Sequence, residues 1–267
     1  MSVASMKLRN EMGDLVGLPG ETLTATLRRT IMELVVFGYF ADEARIYPHE
    51  LADHFKVSQT PVREALMQLS SEGLIEATPR RGFHICIPTS GQVVDLWQVR
   101  SGLEIMAAEL TVARLKIGEI GLTDLTSLEQ LQNTRDCLGV SMTTKQHIET
   151  NSAFHRTLIE LSGNKLLASL FGSIQQKLIT AWVQRGLETW RLRLADDRAE
   201  HHAILLALRA KDAEQCRKVI AGHIERSLAG ALSDLEQSTS SRISQLPISR
   251  LSSKNSGKMS ENSQFRE

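Results

Sequence analysis

The run Val57-Ser58-Gln59-Thr60-Pro61-Val62-Arg63-Glu64-Ala65-Leu66 constrains this chain more than any other part of it. Val62, Ala65, Leu66 and Leu69 recur at i, i+3, i+4 and i+7, the spacing that gathers apolar side chains into one stripe of a helix. The stripe has to pack on something, and Gln59, Thr60, Arg63 and Gln68 are left on the opposite face. Thr60 followed by Pro61 predicts where the helix begins. A hydroxyl there can accept an orphan backbone N–H, and proline in the first helical position loses nothing by lacking its own. Upstream, Pro48 to Phe55 reads as a short helix, separated from the next by Lys56-Val57 alone. Two helices joined so tightly make a helix-turn-helix, whose second helix lies in the major groove with its N-terminal residues toward base edges. Downstream, Leu74 and Ile75 before Pro79-Arg80-Arg81-Gly82, and Phe83, Ile85 and Ile87 after it, predict two short strands and a turn. That would be a wing with two arginines at its tip.

Taken singly, an apolar stripe is core and an arginine pair is a solvated turn; their order and spacing together favour DNA. With Glu72-Gly73-Leu74 and Arg80-Arg81-Gly82 behind it, the run strongly resembles the GntR family of bacterial winged-helix regulators. There a Val-Ser-Arg-Thr-Pro-Val-Arg-Glu-Ala-Leu segment leads to Glu-Gly-Leu and an Arg-Arg-Gly turn. The expected DNA-facing set is His49, Ser58, Gln59, Thr60, Arg63, Arg80, Arg81 and Gly82. Two departures stand out. Gln59 replaces the family's usual Arg, and Asp42-Glu43-Ala44-Arg45 replaces its usual Pro-Gly loop. Arg prefers guanine N7 and O6 whereas Gln pairs with adenine, so the operator is expected to differ at one position per half-site.

Charge lends less support. Residues 1–88 carry nine Lys and Arg against eleven Asp and Glu, a formal −2, rather than a broad basic face. Lys56, Arg63, Arg80 and Arg81 must concentrate positive potential locally, and dimerisation would double their phosphate contacts.

At 267 residues with 42% hydrophobic content, the chain has room for two domains. No apolar run approaches the roughly 18 residues needed to span a bilayer, and no signal-peptide pattern opens it, so a cytoplasmic location is expected. Cys86, Cys137 and Cys216 are odd in number and scattered, which suits reduced thiols packed as small hydrophobes.

Residues 1–20 read as a loose arm and 21–88 as the winged helix-turn-helix, whose first helix runs from Thr22 to about Gly38. Pro88-Thr89-Ser90-Gly91 is expected to be a hinge. Residues 92–236 then read as helices at about 92–116, 122–138, 145–161, 165–192, 196–210 and 212–236, an all-α antiparallel bundle. The fold class is thus mainly α, with a small β wing. The Ser-rich tail, 237–267, is expected to be disordered; its last thirty residues carry five basic against two acidic side chains, enough to touch DNA non-specifically or simply to be solvated.

Asn151 and His155 lie four apart on one helical face, while His201 and His223 fall on two other helices. Phe154 before His155 and Ile224 after His223 suggest that those two point inward. Bundles build metal sites from inward-facing residues of several helices, and imidazole suits zinc, nickel or iron. Buried histidines are also ordinary hydrogen-bonded core, and spacing alone leaves both readings open.

Arg100-Ser101-Gly102-Leu103-Glu104, Phe154-His155 with Ser162-Gly163-Asn164, Glu200-His201 with Ile204, and His223-Ile224 resemble successive signatures of the FCD effector domain of FadR-type GntR regulators, over about 92–235. That resemblance implies a divalent ion held by Asn151, His155, His201 and His223, with a small carboxylate effector completing the shell. Asn151 stands where many members have Asp, and its neutral oxygen is a weaker ligand. His202 turns away on the helix and is expected to be exposed. Arg100 faces two compatible roles: an i,i+4 ion pair with Glu104, or, as the resemblance implies, a grip on the effector carboxylate.

The expectation is a homodimeric transcription regulator, a repressor, released or engaged by a small organic acid. A regulator with a purely structural histidine cluster is the alternative. A metal-dependent hydrolase is set aside, because no carboxylate stands at an obvious general-base position and no Ser or Cys nucleophile motif is visible. The chain is therefore read as a regulator rather than an enzyme.

Overall fold

The periodicity at residues 23–36 is realised as helix α1, Leu23–Val36, which buries Leu27, Ile31, Leu34 and Val35. A two-residue strand β1, Arg45–Ile46, precedes α2, Pro48–Phe55, and α3, Gln59–Ser71. Strands β2, Ile75–Thr78, and β3, Gly82–Ile85, form the wing, and β3 lies between β2 and β1, antiparallel to both. This computed structural model describes residues 15–36, 40, 45–183 and 190–244. Residues 1–14 of the expected N-terminal arm, Gly38 and residues 245–267 of the tail fall outside them, while Leu15 of that arm packs on the core of the winged domain.

Ala65, Leu66, Leu69 and Val62 are fully buried against α1, and this closes the small core of the winged domain. Lys56, with φ of 55°, ends α2 in the left-handed region, so the turn into α3 is completed within three residues. The start of α3 differs from the sequence expectation. Ser58 is the N-cap, and Thr60 and Pro61 lie inside the first turn, with no side-chain capping bond from Ser58. Proline is tolerated there because the first N–H groups have no intrahelical partner in any case. β1 was not foreseen, since two residues carry no alternation. It extends the wing sheet through pairs Arg45–His84 and Ile46–Phe83. Gly82, with φ of 74°, is obligatory at this corner, because a Cβ would stand 2.6 Å from the Ile46 carbonyl oxygen.

The second unit is all helical: α4, Ser90–Lys116; α5, Thr126–Leu138; α6, Thr144–Leu161; α7, Lys165–Val183; α8, Trp190–Arg209; and α9, Ala213–Ser244. A short 3-10 turn, Leu122–Leu125, leads into α5. Thr89 caps α4 and Thr143 caps α6, each in a reciprocal box with a glutamine three residues on. The Thr89 cap draws Ser90 and Gly91 into the helix, so the expected hinge is shorter than Pro88–Gly91. Likewise α8 begins at Trp190 rather than 196, and α9 continues to Ser244, into the stretch expected to lack structure. α9 lies along α4, fastened by a buried hydrogen bond from Trp97 Nε1 to Ser227 Oγ at 3.2 Å. The bundle core gathers Val93, Trp97, Val112, Phe154, Leu158, Ile204, Leu208, Ile220 and Ile224. α1 also packs on α7, and a cleft of about 1000 Å³ opens between wing and bundle beside Cys86, Lys177 and Leu96. Among the described residues no helix is long and apolar enough to cross a membrane.

Candidate functional site

Four helices bring the histidine cluster together. α4 contributes Arg100 and Glu104, α6 contributes Asn151 and His155, α8 contributes His201, and α9 contributes His223. The three imidazoles are buried and mutually adjacent. Ring centres lie 4.9 Å apart for His155–His201, 5.1 Å for His155–His223 and 4.9 Å for His201–His223. Each offers a nitrogen within 4.8 Å of the other two. Phe154 stacks on His201 at 4.1 Å and fixes its ring plane. His202, one residue on, is exposed as expected.

Carboxylates set the orientation of two rings. Glu104 accepts from His155 Nδ1 at 2.9 Å, and Glu200 from His223 Nδ1 at 2.7 Å. A carboxylate on one ring nitrogen leaves the other as a lone pair, the arrangement that prepares histidine as a metal ligand. His223 Nε2 and both nitrogens of His201 are buried without a partner among the described residues. Burial, and then the Arg135 charge, hold His201 well below the usual imidazole range. Burial likewise drives His155 down to about 3, although Glu104 pulls the other way. Neutral imidazoles are the ligating form. On these grounds the three histidines fit a divalent cation. Asn151 fits less well: its Oδ1 already accepts from Arg135 Nη1 at 3.0 Å, leaving one lone pair of the two.

Arg100 takes the ion-pair role the spacing allowed. Its Nε donates to Glu104 at 2.6 Å, and its Nη2 donates to His155 Nε2 at 2.8 Å. Burial would raise Glu104, but Arg100 and His155 outweigh it and hold the carboxyl at about 2. A cavity of about 30 Å³ adjoins Arg100, Asn151, His155 and Trp97. It has room for a water or two and no more, so a bound acid would require local repacking.

Sequence reasoning missed three parts of this site. Glu200 was seen only as the neighbour of His201, because the ring it holds, His223, lies on the next helix and nothing in the sequence joins the two. Glu104 was read as a partner of Arg100 alone. Glu104 and Glu200 thus stand beside the histidines, each bonded to an Nδ1, and Asp197 lies within 4.8 Å of His223. Arg135, buried in the last turn of α5, gave no signal.

On the other unit, Ser58, Gln59, Thr60 and Arg63 lie exposed along the start of α3, and His49 is exposed at the start of α2. Arg80 and Arg81 are exposed at the wing tip, where Arg81 N–H donates to the Thr78 carbonyl at 3.0 Å and closes a four-residue turn. Gly82 is half-buried beneath them.

Comparison with known proteins follows the same division. The model of bacterial regulatory proteins of the gntR family matches residues 21–85, and that of the FCD domain matches residues 95–226. The chain is 30% identical to the Nta operon transcriptional regulator of Aminobacter aminovorans, over 72% of this chain and 87% of that one. It is 27% identical to the HTH-type transcriptional regulator McbR of Escherichia coli (strain K12), over 78% and 92%. Among solved structures, E. coli McbR/YncC superposes with a TM-score of 0.67 at 24% identity, covering 80% of this chain and 98% of that chain. A GntR transcriptional regulator from Rhodococcus sp. RHA1 gives 0.67 at 18%, covering 79% and 97%. At these identities the structures speak for the fold.

Proposed function

The chain belongs to the GntR family, as a DNA-binding transcription regulator with a C-terminal FCD domain, and from that premise we propose that it is a cytoplasmic, homodimeric repressor whose operator affinity is set by a divalent cation and a small organic acid in the bundle. The carrying observation is the set of three buried imidazoles, two held at Nδ1 by carboxylates, with Nε2 of His223 and both nitrogens of His201 left unpartnered. His155, His201 and His223 would hold the ion, with Asn151 in the remaining protein position; zinc or nickel suits such a set. The ion would supply positive charge for an anionic ligand.

The residues themselves supply the coupling. His155 Nε2 cannot both accept from Arg100 and ligate a cation, so Arg100 Nη2 is released whenever His155 ligates. A guanidinium freed in this way is ready for a carboxylate, to which it is matched in shape and charge. Movement of α4, which starts at Thr89 directly behind the wing, would reach the DNA-binding unit through the short Cys86–Pro88 connection. Two copies would place two α3 helices on successive major-groove faces, with Ser58, Gln59, Thr60 and Arg63 toward bases and His49, Arg80, Arg81 and Gly82 toward the backbone or minor groove. The population of the operator-competent spacing would then depend on what the bundle holds.

The test is a metal assay joined to an operator titration. Purified protein should carry close to one zinc or nickel per chain, His223→Ala should lose it, and a chelator should change operator affinity of the wild type but not of His223→Ala. Stoichiometric metal in His223→Ala would remove His223 from the ligand set, and an unchanged operator titration after metal removal would leave the cluster as structural core.

A further inference from the structure

Arg135 is fully buried, yet only one edge of its guanidinium is used. Nη1 donates to Asn151, whereas Nε and Nη2 have no partner among the described residues. Asp197, the acid whose charge acts most on Arg135, makes no ion pair with it. By contrast Arg100, the other buried arginine at the cluster, is neutralised at 2.6 Å by Glu104. A buried guanidinium without a hydrogen-bonded anion is costly, and Asp197 offsets that cost by charge alone, which leaves the Nε–Nη2 edge open to an anion. Nε and Nη2 together form the fork that a carboxylate occupies with two parallel hydrogen bonds. The residue that Arg135 does hold, Asn151, lies one helical turn before His155 and lines the small cavity with it.

We propose that Arg135 is a second anion anchor of this chamber and that the ligand is a small dicarboxylate, one carboxylate on the side of the histidines and Arg100 and the other on the Nε–Nη2 edge of Arg135. This rests on the effector reading above and adds the ligand's class. Among the described residues five buried atoms here lack a hydrogen-bond partner, namely Nε and Nη2 of Arg135, both nitrogens of His201 and Nε2 of His223, and the Arg135 charge acts on His201. A monocarboxylate would satisfy the histidine side and leave the guanidinium bare. A dicarboxylate satisfies both.

The experiment is calorimetry on the full chain reconstituted with zinc, titrated with acetate, malonate and succinate. Malonate or succinate should bind the wild type at least tenfold more tightly than acetate, about the worth of one charge-assisted bidentate contact. Arg135→Gln retains an N–H for Asn151 but has neither charge nor fork. It should lose the dicarboxylate advantage while keeping wild-type zinc content and acetate affinity. Should that variant fail to fold, judged by its circular dichroism melt, Arg135→Lys retains the charge without the fork and should lose most of the advantage. Dicarboxylates binding no more tightly than acetate, or an advantage that survives in Arg135→Gln, would overturn the proposal. So would loss of zinc in that variant, which would make Arg135 a support for the metal ligands. Failure of all three acids to bind zinc-loaded wild type is a different result, and overturns the effector reading together with the proposal built on it.

Discussion

Arg80 sits at the tip of the wing with φ of 62°, in the left-handed region that turns ordinarily give to glycine. A side chain there costs roughly 1 kcal/mol relative to an unstrained residue, and among the described residues Arg80 has no side-chain hydrogen bond or ion pair that would offset the cost. Strain kept at an exposed cation points to a use outside the protein. Arg80→Gly should therefore hold or raise stability by up to about 1 kcal/mol in urea melts while weakening operator binding and lowering its dependence on salt. Operator binding equal to wild type across a salt series would remove Arg80 from the DNA contacts. At this scale the sequence showed which residue types were present and little of what they touch. Arg80-Arg81 was legible because tip and turn are adjacent in the chain. The Arg135–Asn151 bond was not, since sixteen positions separate the two and neither lies in a recognisable motif.

Helix α3 separates its two duties by face. Leu66 is fully buried, and Leu66→Ala should cost about 2–5 kcal/mol of folding stability through lost burial and the cavity left behind. Arg63 is exposed on the other face, so Arg63→Ala should leave the melt within about 0.5 kcal/mol of wild type. It should still cost roughly 1–3 kcal/mol of operator binding if it reads a base, or reduce the salt slope by about one if it meets only phosphate. Equal binding to wild type at every salt concentration would deny α3 its groove-facing role. The element was legible because a stripe at 3.6-residue spacing is written directly in sequence. The same periodicity recovered α1, α4, α6 and α9, with errors at their ends. At α4 the error has a physical cause, since the Thr89 cap drew two residues of the supposed hinge into the helix, while α9 runs on to Ser244. β1 escaped because its two residues become a strand only through pairing with β3.

For the whole molecule, burial of ionisable groups in the bundle ties stability to pH. Burial, and then the charges of Arg135 and Arg193, push His147 down to about 3, against about 6.5 in the unfolded chain. The sign follows from proton uptake. As pH falls below 6.5 the unfolded chain takes up a proton that the folded chain refuses, so stability present above 6.5 is lost progressively toward pH 3. The loss approaches about 1.4 kcal/mol per pH unit for this one group. In chelator-treated protein, His147→Met should lose correspondingly less stability between pH 6.5 and 4.5, measured by urea unfolding at each pH. Parallel curves for variant and wild type would show that His147 is not the group responsible. The sequence by itself determined the elements, their order and the division into a winged helix-turn-helix and a helical bundle, because periodicity, turn residues and motif spacing act over a few neighbouring positions. Only the tertiary structure decided how charges are shared across helices. It gave Glu104 both Arg100 and His155, gave Glu200 to His223, and left Arg135 with one edge bonded and one bare. Those pairings join positions 16 to 51 residues apart wherever they leave a single helix. They depend on how helices rotate and settle on a common core, which no local pattern encodes.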